Sequence, residues 1–169
     1  MSNLRETFVE ELRDLYDAEK QIIKALPRMI KAAEHEDLKT AFEMHLEETE
    51  EQIGRIEKVF KLFGESPKTK KCRGMEGLLE EGKEHIEDEG GDAALICAAQ
   101  KVEHYEIASY GSLVSWARLL EQEDAVEMLE QTLNEEEQAD EKLTQIAESI
   151  VNPEEAEEVA AGQRGKSRH

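Results

Sequence analysis

Four stretches of this chain carry apolar residues at helical spacing, and near the middle of each stripe the apolar character fails. The interrupting residues are Glu19; His45, Glu48 and Gln52; Glu103 and Glu106; and Glu136 and Asp140. A stripe of this kind must be buried against other helices. An isolated carboxylate in a dry core cannot persist as an anion. The chain must therefore fold so that protons, arginines or a metal ion neutralise these groups, and that choice defines the functional question.

The helices can be traced from their stop signals. The first starts at Ser2 or Asn3, with Glu6 completing a capping box on Asn3, and carries Phe8, Leu12, Leu15, Glu19, Ile22, Leu26, Ile30 and Ala33. Pro27 should kink it. A break at His35–Asp37, with Asp37 as N-cap, leads to Leu38, Phe42, His45, Glu48/Thr49, Gln52, Ile56, Val59 and Phe63, and Gly64 ends that helix. Residues 65–91 form a long connection with a short amphipathic piece over Met75–Ile86. A third helix from Asp92 presents Ile96, Ala99, Glu103, Glu106, Tyr110, Leu113, Ala117 and Leu120. After a break at Glu121–Asp124, a fourth presents Val126, Leu129, Leu133, Glu136, Asp140, Leu143, Ala147 and Ile150. Residues 152–169 lack apolar content and read as a disordered polar tail, leaving residues 1–151 as the folded domain.

The halves repeat. A shift of 87 residues places Glu19 on Glu106 and Leu26 on Leu113, and a shift of 88 places Glu48 on Glu136 and Gln52 on Asp140. Short breaks make antiparallel hairpins, so the expected fold is all-α: two helix hairpins joined by a long crossover. Residues equidistant from a turn lie at one height. Glu19 is then level with about residue 51, and Glu106 with about residue 138. Each hairpin gathers its polar core residues at one level. The pairs His45/Glu48, Glu48/Gln52, Glu103/Glu106 and Glu136/Asp140 each share a helix face.

Carboxylate oxygens with an imidazole suit iron, manganese or zinc, and this many carboxylates suit two divalent ions rather than one. Taken singly, Glu48 and Glu136 read equally well as solvated, because each lies in a run of glutamates, and a lone His45 reads more readily as an ordinary histidine. Tyr16, Tyr105 and Tyr110 read as packing residues, with Tyr110 also placed to hydrogen-bond a ligand.

Composition narrows the partners. With 41 acidic and 21 basic residues and a formal charge of −20, the chain lacks the basic surface that nucleic acid demands. The acidity serves solubility, suits a salty cytoplasm, or attracts cations. Two cysteines define no disulfide framework; Cys97 in the run Ala93–Ala99 reads as buried, and Cys72 in a Lys-rich loop as an exposed thiol. No apolar run spans a bilayer, and MSNLRETF lacks a signal-peptide core, so the expected location is the cytoplasm with no membrane partner.

The segments LRDLYDAEKQIIKALPRMIKAA, HLEETEEQIGRIEKVF, AAQKVEHYEIASYGSL and LNEEEQADEKL resemble the YciE/YciF family of ferritin-like proteins over about residues 4–150. The resemblance implies a ferritin-like four-helix bundle with a dinuclear metal centre, a homodimer, and a link to bacterial stress responses. It carries a ligand role to Glu19, Glu48, Gln52, Glu103, Glu106, Glu136 and Asp140. The general di-iron pattern has Glu-x-x-His on two helices. Here the second helix reads His45-x-x-Glu48 and the fourth Glu136-x-x-x-Asp140, which makes the site oxygen-rich and adds manganese and magnesium to iron as candidate metals.

Three activities compete at this stage. One is an Fe(II)-dependent oxidoreductase using oxygen or peroxide, and another is a dimanganese, catalase-like activity. The third is a non-enzymatic helical module in which the polar layer sets helix register and Leu4, Ile23, Leu62, Val114 and Trp116 offer a dimerisation face.

Overall fold

The computed structural model describes residues 3–157 and 159, and every regular element in them is helical. In chain order these are α1 (Leu4–Ala32), α2 (Glu36–Leu62), α3 (Arg73–Glu87), α4 (Gly91–Leu119) and α5 (Glu123–Ile146). A π-helical turn, Ala147–Val151, continues α5. Among the described residues no helix is long and apolar enough to cross a membrane.

Local chemistry sets the ends. Asn3 and Glu6 form the reciprocal capping box predicted from their spacing. α2 begins earlier than expected, with His35 as N-cap: its Nδ1 accepts from the Asp37 N–H at 3.2 Å. Gly64 closes α2 at φ +69°, where the Glu65 N–H reaches back to the Phe60 carbonyl at 2.9 Å. This is a Schellman stop, which favours glycine because its φ is positive. Pro27 sits on the exposed side of α1, and the helix runs through it from Leu4 to Ala32.

The hydrogen bonds between helices report their directions. Tyr16 of α1 meets Glu57 of α2, and Arg5 meets the Phe63 carbonyl, so α1 and α2 run antiparallel. Gln100 reaches Thr144 while Arg118 reaches Glu130, which makes α4 and α5 antiparallel too. Tyr105 pairs with Asp14 and Tyr110 with Glu19, each 91 residues apart, so α1 and α4 run parallel. α2 also contacts α5, and the four long helices close on one another, with α3 laid across α1 and α4.

Apolar layers lie on both sides of the polar level. Toward one end, Phe8 stacks on Phe63 with ring centroids 4.3 Å apart, and Tyr16 meets Phe60 edge-on. Toward the other, Leu26, Leu38, Phe42 and Ile96 are buried. Each such side chain contributes about 1.5–3 kcal/mol when removed from water. These layers supply the driving force that lets the level between them be polar.

Three expectations are corrected. Cys72 is fully buried and Cys97 is exposed. Cys72 caps α3, with Sγ accepting from the Met75 N–H at 3.4 Å, while its own N–H donates to Asp17 at 2.8 Å and Sγ lies 3.1 Å from the Tyr105 hydroxyl. These bonds pin the crossover to α1 and α4. Cys97 lies in an apolar run, but the run continues round the helix and that position faces outward. Val114, expected on an outer face, is buried in the core, whereas Leu62 is exposed.

The chain also stays helical through residues 152–157, where a polar tail was expected. Glu155 Oε1 accepts from the Ala93 N–H at 2.9 Å at the start of α4. A side chain at Gly91 (φ +76°) would collide with that carboxylate, its Cβ falling 2.8 Å from Oε1. Residues 160–169 lie outside the described residues.

Candidate metal centre

The polar level becomes a cluster because the four long helices each present it at one height. His45 from α2, Glu103 and Glu106 from α4, and Glu136 from α5 each bring one ligand atom within 4.8 Å of the others, and all four are buried. His45 Nε2 lies 3.1 Å from Glu103 Oε1, without hydrogen-bond alignment. Glu19 of α1 is fully buried beside them and accepts a short hydrogen bond from the Tyr110 hydroxyl.

The other residues singled out from the sequence are placed differently. Gln52 is fully buried; its Nε2 donates to Glu135 at 3.1 Å, and its Oε1 is left without a partner. Glu48 is part exposed, with Oε2 3.9 Å from His45 Nδ1. Asp140 turns away from the four-residue group, taking Gln100 Nε2 at 3.2 Å and lying 3.2 Å from His104 Nε2. The structure thus brings together His45, Glu103, Glu106 and Glu136, with Glu19 and Gln52 buried alongside, and sets Glu48 and Asp140 nearer the surface.

Burial dominates the electrostatics. Desolvation raises Glu19 to about 8, helped by the neighbouring charge of Glu136 and opposed by the Tyr110 hydrogen bond. Glu103 and Glu106 are raised well above the usual carboxylate range by burial first and by Glu136 second. His45 is lowered by burial, which favours the neutral ring and leaves one of its nitrogens with a lone pair for a metal.

Whether the residues fit a cation can be judged from their lone pairs. Glu19 Oε2, Gln52 Oε1, Glu103 Oε2, both oxygens of Glu106 and of Glu136, and both ring nitrogens of His45 are buried and have no hydrogen-bond partner. Buried polar atoms left unpaired in such number, most of them carboxylate or amide oxygens, are far from the rule that buried polar atoms are satisfied. A divalent ion would satisfy them and offset the mutual repulsion of the carboxylates. The donor set, carboxylate oxygen plus one imidazole, suits a first-row divalent metal ion.

Sequence reasoning missed one neighbour. Arg55, on the same face as Gln52, binds Glu135 through Nη1–Oε2 at 2.6 Å and Nη2–Oε1 at 2.8 Å, and Nη1 also donates to Thr132 at 3.0 Å. An arginine next to the apolar residue Ile56 was the available signal.

The family model described as "Domain of unknown function (DUF892)" matches residues 3–156. Protein YciF of Escherichia coli K12 is 47% identical over 157 residues, covering 90% of this chain and 95% of its own. The crystal structure of that protein, described as a stress protein, superposes with a TM-score of 0.82 at 46% identity, over 87% of this chain and 96% of that one. YcfI from Rhodopseudomonas palustris, for which a structural role has been put forward, gives 0.80 at 42% identity, over 85% and 94%. The chain therefore belongs to the YciE/YciF family, DUF892.

Proposed function

We propose that this protein is a ferritin-like four-helix metal-binding protein that holds two divalent ions, iron first and manganese or magnesium next. We propose further that it acts in stress defence as an Fe(II)-dependent oxidoreductase consuming oxygen or peroxide. The observation that carries the reading is the set of buried, unpartnered acceptor atoms on His45, Glu103, Glu106 and Glu136. Glu106 and Glu136 each have two free oxygens, enough to serve one ion with His45 and Glu103 and a second with Glu19 and Gln52. The stress assignment leans on the description of the Escherichia coli relative. In this reading the protein works in the cytoplasm, as a homodimer.

Bound iron or manganese would supply the electron transfer to oxygen that no side chain here can perform. The chain's own part is to bind, orient and exclude water. Neutral His45 offers a nitrogen, the glutamates offer compensating charge, and Tyr110 holds Glu19 in place with its hydroxyl proton. Arg55, tied to Glu135, fixes the amide of Gln52 so that its Nε2 is engaged and its Oε1 left over.

The test is anaerobic Fe(II) loading of the metal-free protein followed by exposure to oxygen. Oxidation well above that of a Glu19→Ala, Glu106→Ala double variant is expected; equal rates would remove the oxidoreductase reading. Oxygen release from peroxide by the manganese-loaded protein separates the catalase-like alternative. A non-enzymatic module draws on the structural role put forward for YcfI, and it gains if both assays are silent.

A further inference from the structure

Three cavities adjoin one another in series, and two of them reach His45 and Glu103 of the cluster. A cleft of about 360 Å³ opens between α2 and α5, with Asp37, Glu48 and Lys142 in its walls and His45 and Glu103 also lining it. On the far side, a recess of about 340 Å³ lies between α3 and the α1/α4 pair. Between them is a neck of about 20 Å³ lined by Ile22, Leu26, Leu79 and Ala99. The neck shares Phe42, His45 and Glu103 with the cleft, and Ala25, Met29, Leu79 and Val102 with the recess.

The two mouths differ in chemistry. Glu48 stands part exposed in the cleft with Oε2 3.9 Å from His45 Nδ1, midway between solvent and the cluster. It offers a cation a first carboxylate before the buried set. The recess instead presents Lys24, Arg28 and Lys83 against Glu76 and Glu80, in a chain whose net charge is −20. Its inner wall and the neck are apolar until His45 and Glu103. A hydrated ion would lose its water in such a neck without compensation. A space of this size holds one water-sized molecule.

We propose that the neck beneath α3 admits a small uncharged molecule of dioxygen size to the cluster, and that cations enter separately through the α2/α5 cleft past Glu48. The cargo assignment rests on the proposed metal centre, but the passage can be tested on metal-free protein.

The first measurement is methyl NMR under dioxygen pressure, reading paramagnetic relaxation. Ile22 and Leu26 in the neck should relax faster than Leu12 and Leu15, which are as deeply buried on the same helix. Ala25→Phe and, independently, Leu79→Trp should remove that excess; these positions are only part buried, and folding is checked by circular dichroism. The second measurement is the rate of Co(II) uptake by absorbance. Glu48→Gln should slow it about tenfold, the effect expected for loss of a steering charge at a cleft. The two plugging variants should leave it unchanged. Equal relaxation of neck and core methyls would overturn the passage, as would plugging variants that slow Co(II) uptake as much as Glu48→Gln does. Failure of Co(II) to bind at all would instead remove the metal reading while the relaxation result still stood, so the two failures are distinguishable.

Discussion

Two polar groups lie close together in the bundle, one between α2 and α5 and the other among all four long helices, and they solve the same problem in opposite ways. Around Arg55, every charge has a partner: Glu135 takes both guanidinium arms, Thr132 a third bond, and Gln52 donates to the same carboxylate. Around His45 and Glu106 the carboxylates face one another with their lone pairs unpartnered. The first group is closed within the protein and ties two helices together. The second is a set of donors without a counter-charge, and this openness, rather than acidity as such, makes it the candidate binding site.

The sharpest way to break the comparison is to remove one charge from each group. Arg55→Ala strands Glu135 and should destabilise the fold by about 3 kcal/mol in chemical denaturation, with or without metal. Glu106→Gln should do the reverse to the metal-free protein, stabilising it by about 1 kcal/mol at pH 8, because a neutral amide replaces a carboxylate that burial disfavours. The same variant should lose the stabilisation that divalent metal gives to the native chain. If both variants destabilise the metal-free protein alike, the distinction between closed and open groups fails.

Next in size is the pH dependence. Glu19, Glu103 and Glu106 have raised pKa values, Glu19 to about 8. In the metal-free protein they keep protons that the unfolded chain has already released, so stability should fall as pH rises from about 5 to 8. Glu135 has the opposite sign. Burial pushes it up, but the hydrogen bonds from Arg55 prevail and hold it below 4.5, so its stabilisation is present above that value and lost as pH falls through the lowered one. Melting curves across pH on metal-free protein should show the first slope, and saturating metal should flatten it. A flat profile without metal would contradict the assignment.

The smallest effect is Tyr110→Phe, which removes the proton donated to Glu19. It should cost about 1 kcal/mol in the metal-free protein.

Most of the helical framework was legible because apolar spacing and helix stops are local properties. The Asn3/Glu6 box, the Gly64 stop and the stripes of Phe8, Leu12 and Leu15 need no tertiary information. The level of the polar residues was also legible, since hairpin geometry carries Glu19 to about the height of residue 51 and Glu106 to about that of residue 138, within a turn of Gln52 and Glu136. What could not be read was helix rotation. Asp140 follows Glu136 by four residues, yet it lies toward the surface beside Gln100 and His104. A residual rotation of about 40° over four residues is enough to move a side chain across the edge of a buried face. Cys72 and Cys97 were misjudged for a related reason: burial of a loop thiol depends on what the crossover docks against, here Asp17 and Tyr105.

The central claim is that the open cluster is a divalent-cation site, and its most direct test is elemental analysis of protein purified without chelator, paired with melting before and after metal removal. The account predicts about two divalent ions per chain and a melting temperature that drops when they are withdrawn and recovers when Fe(II) or Mn(II) is returned. A chain that purifies without metal, takes up none, and melts at the same temperature throughout would contradict it.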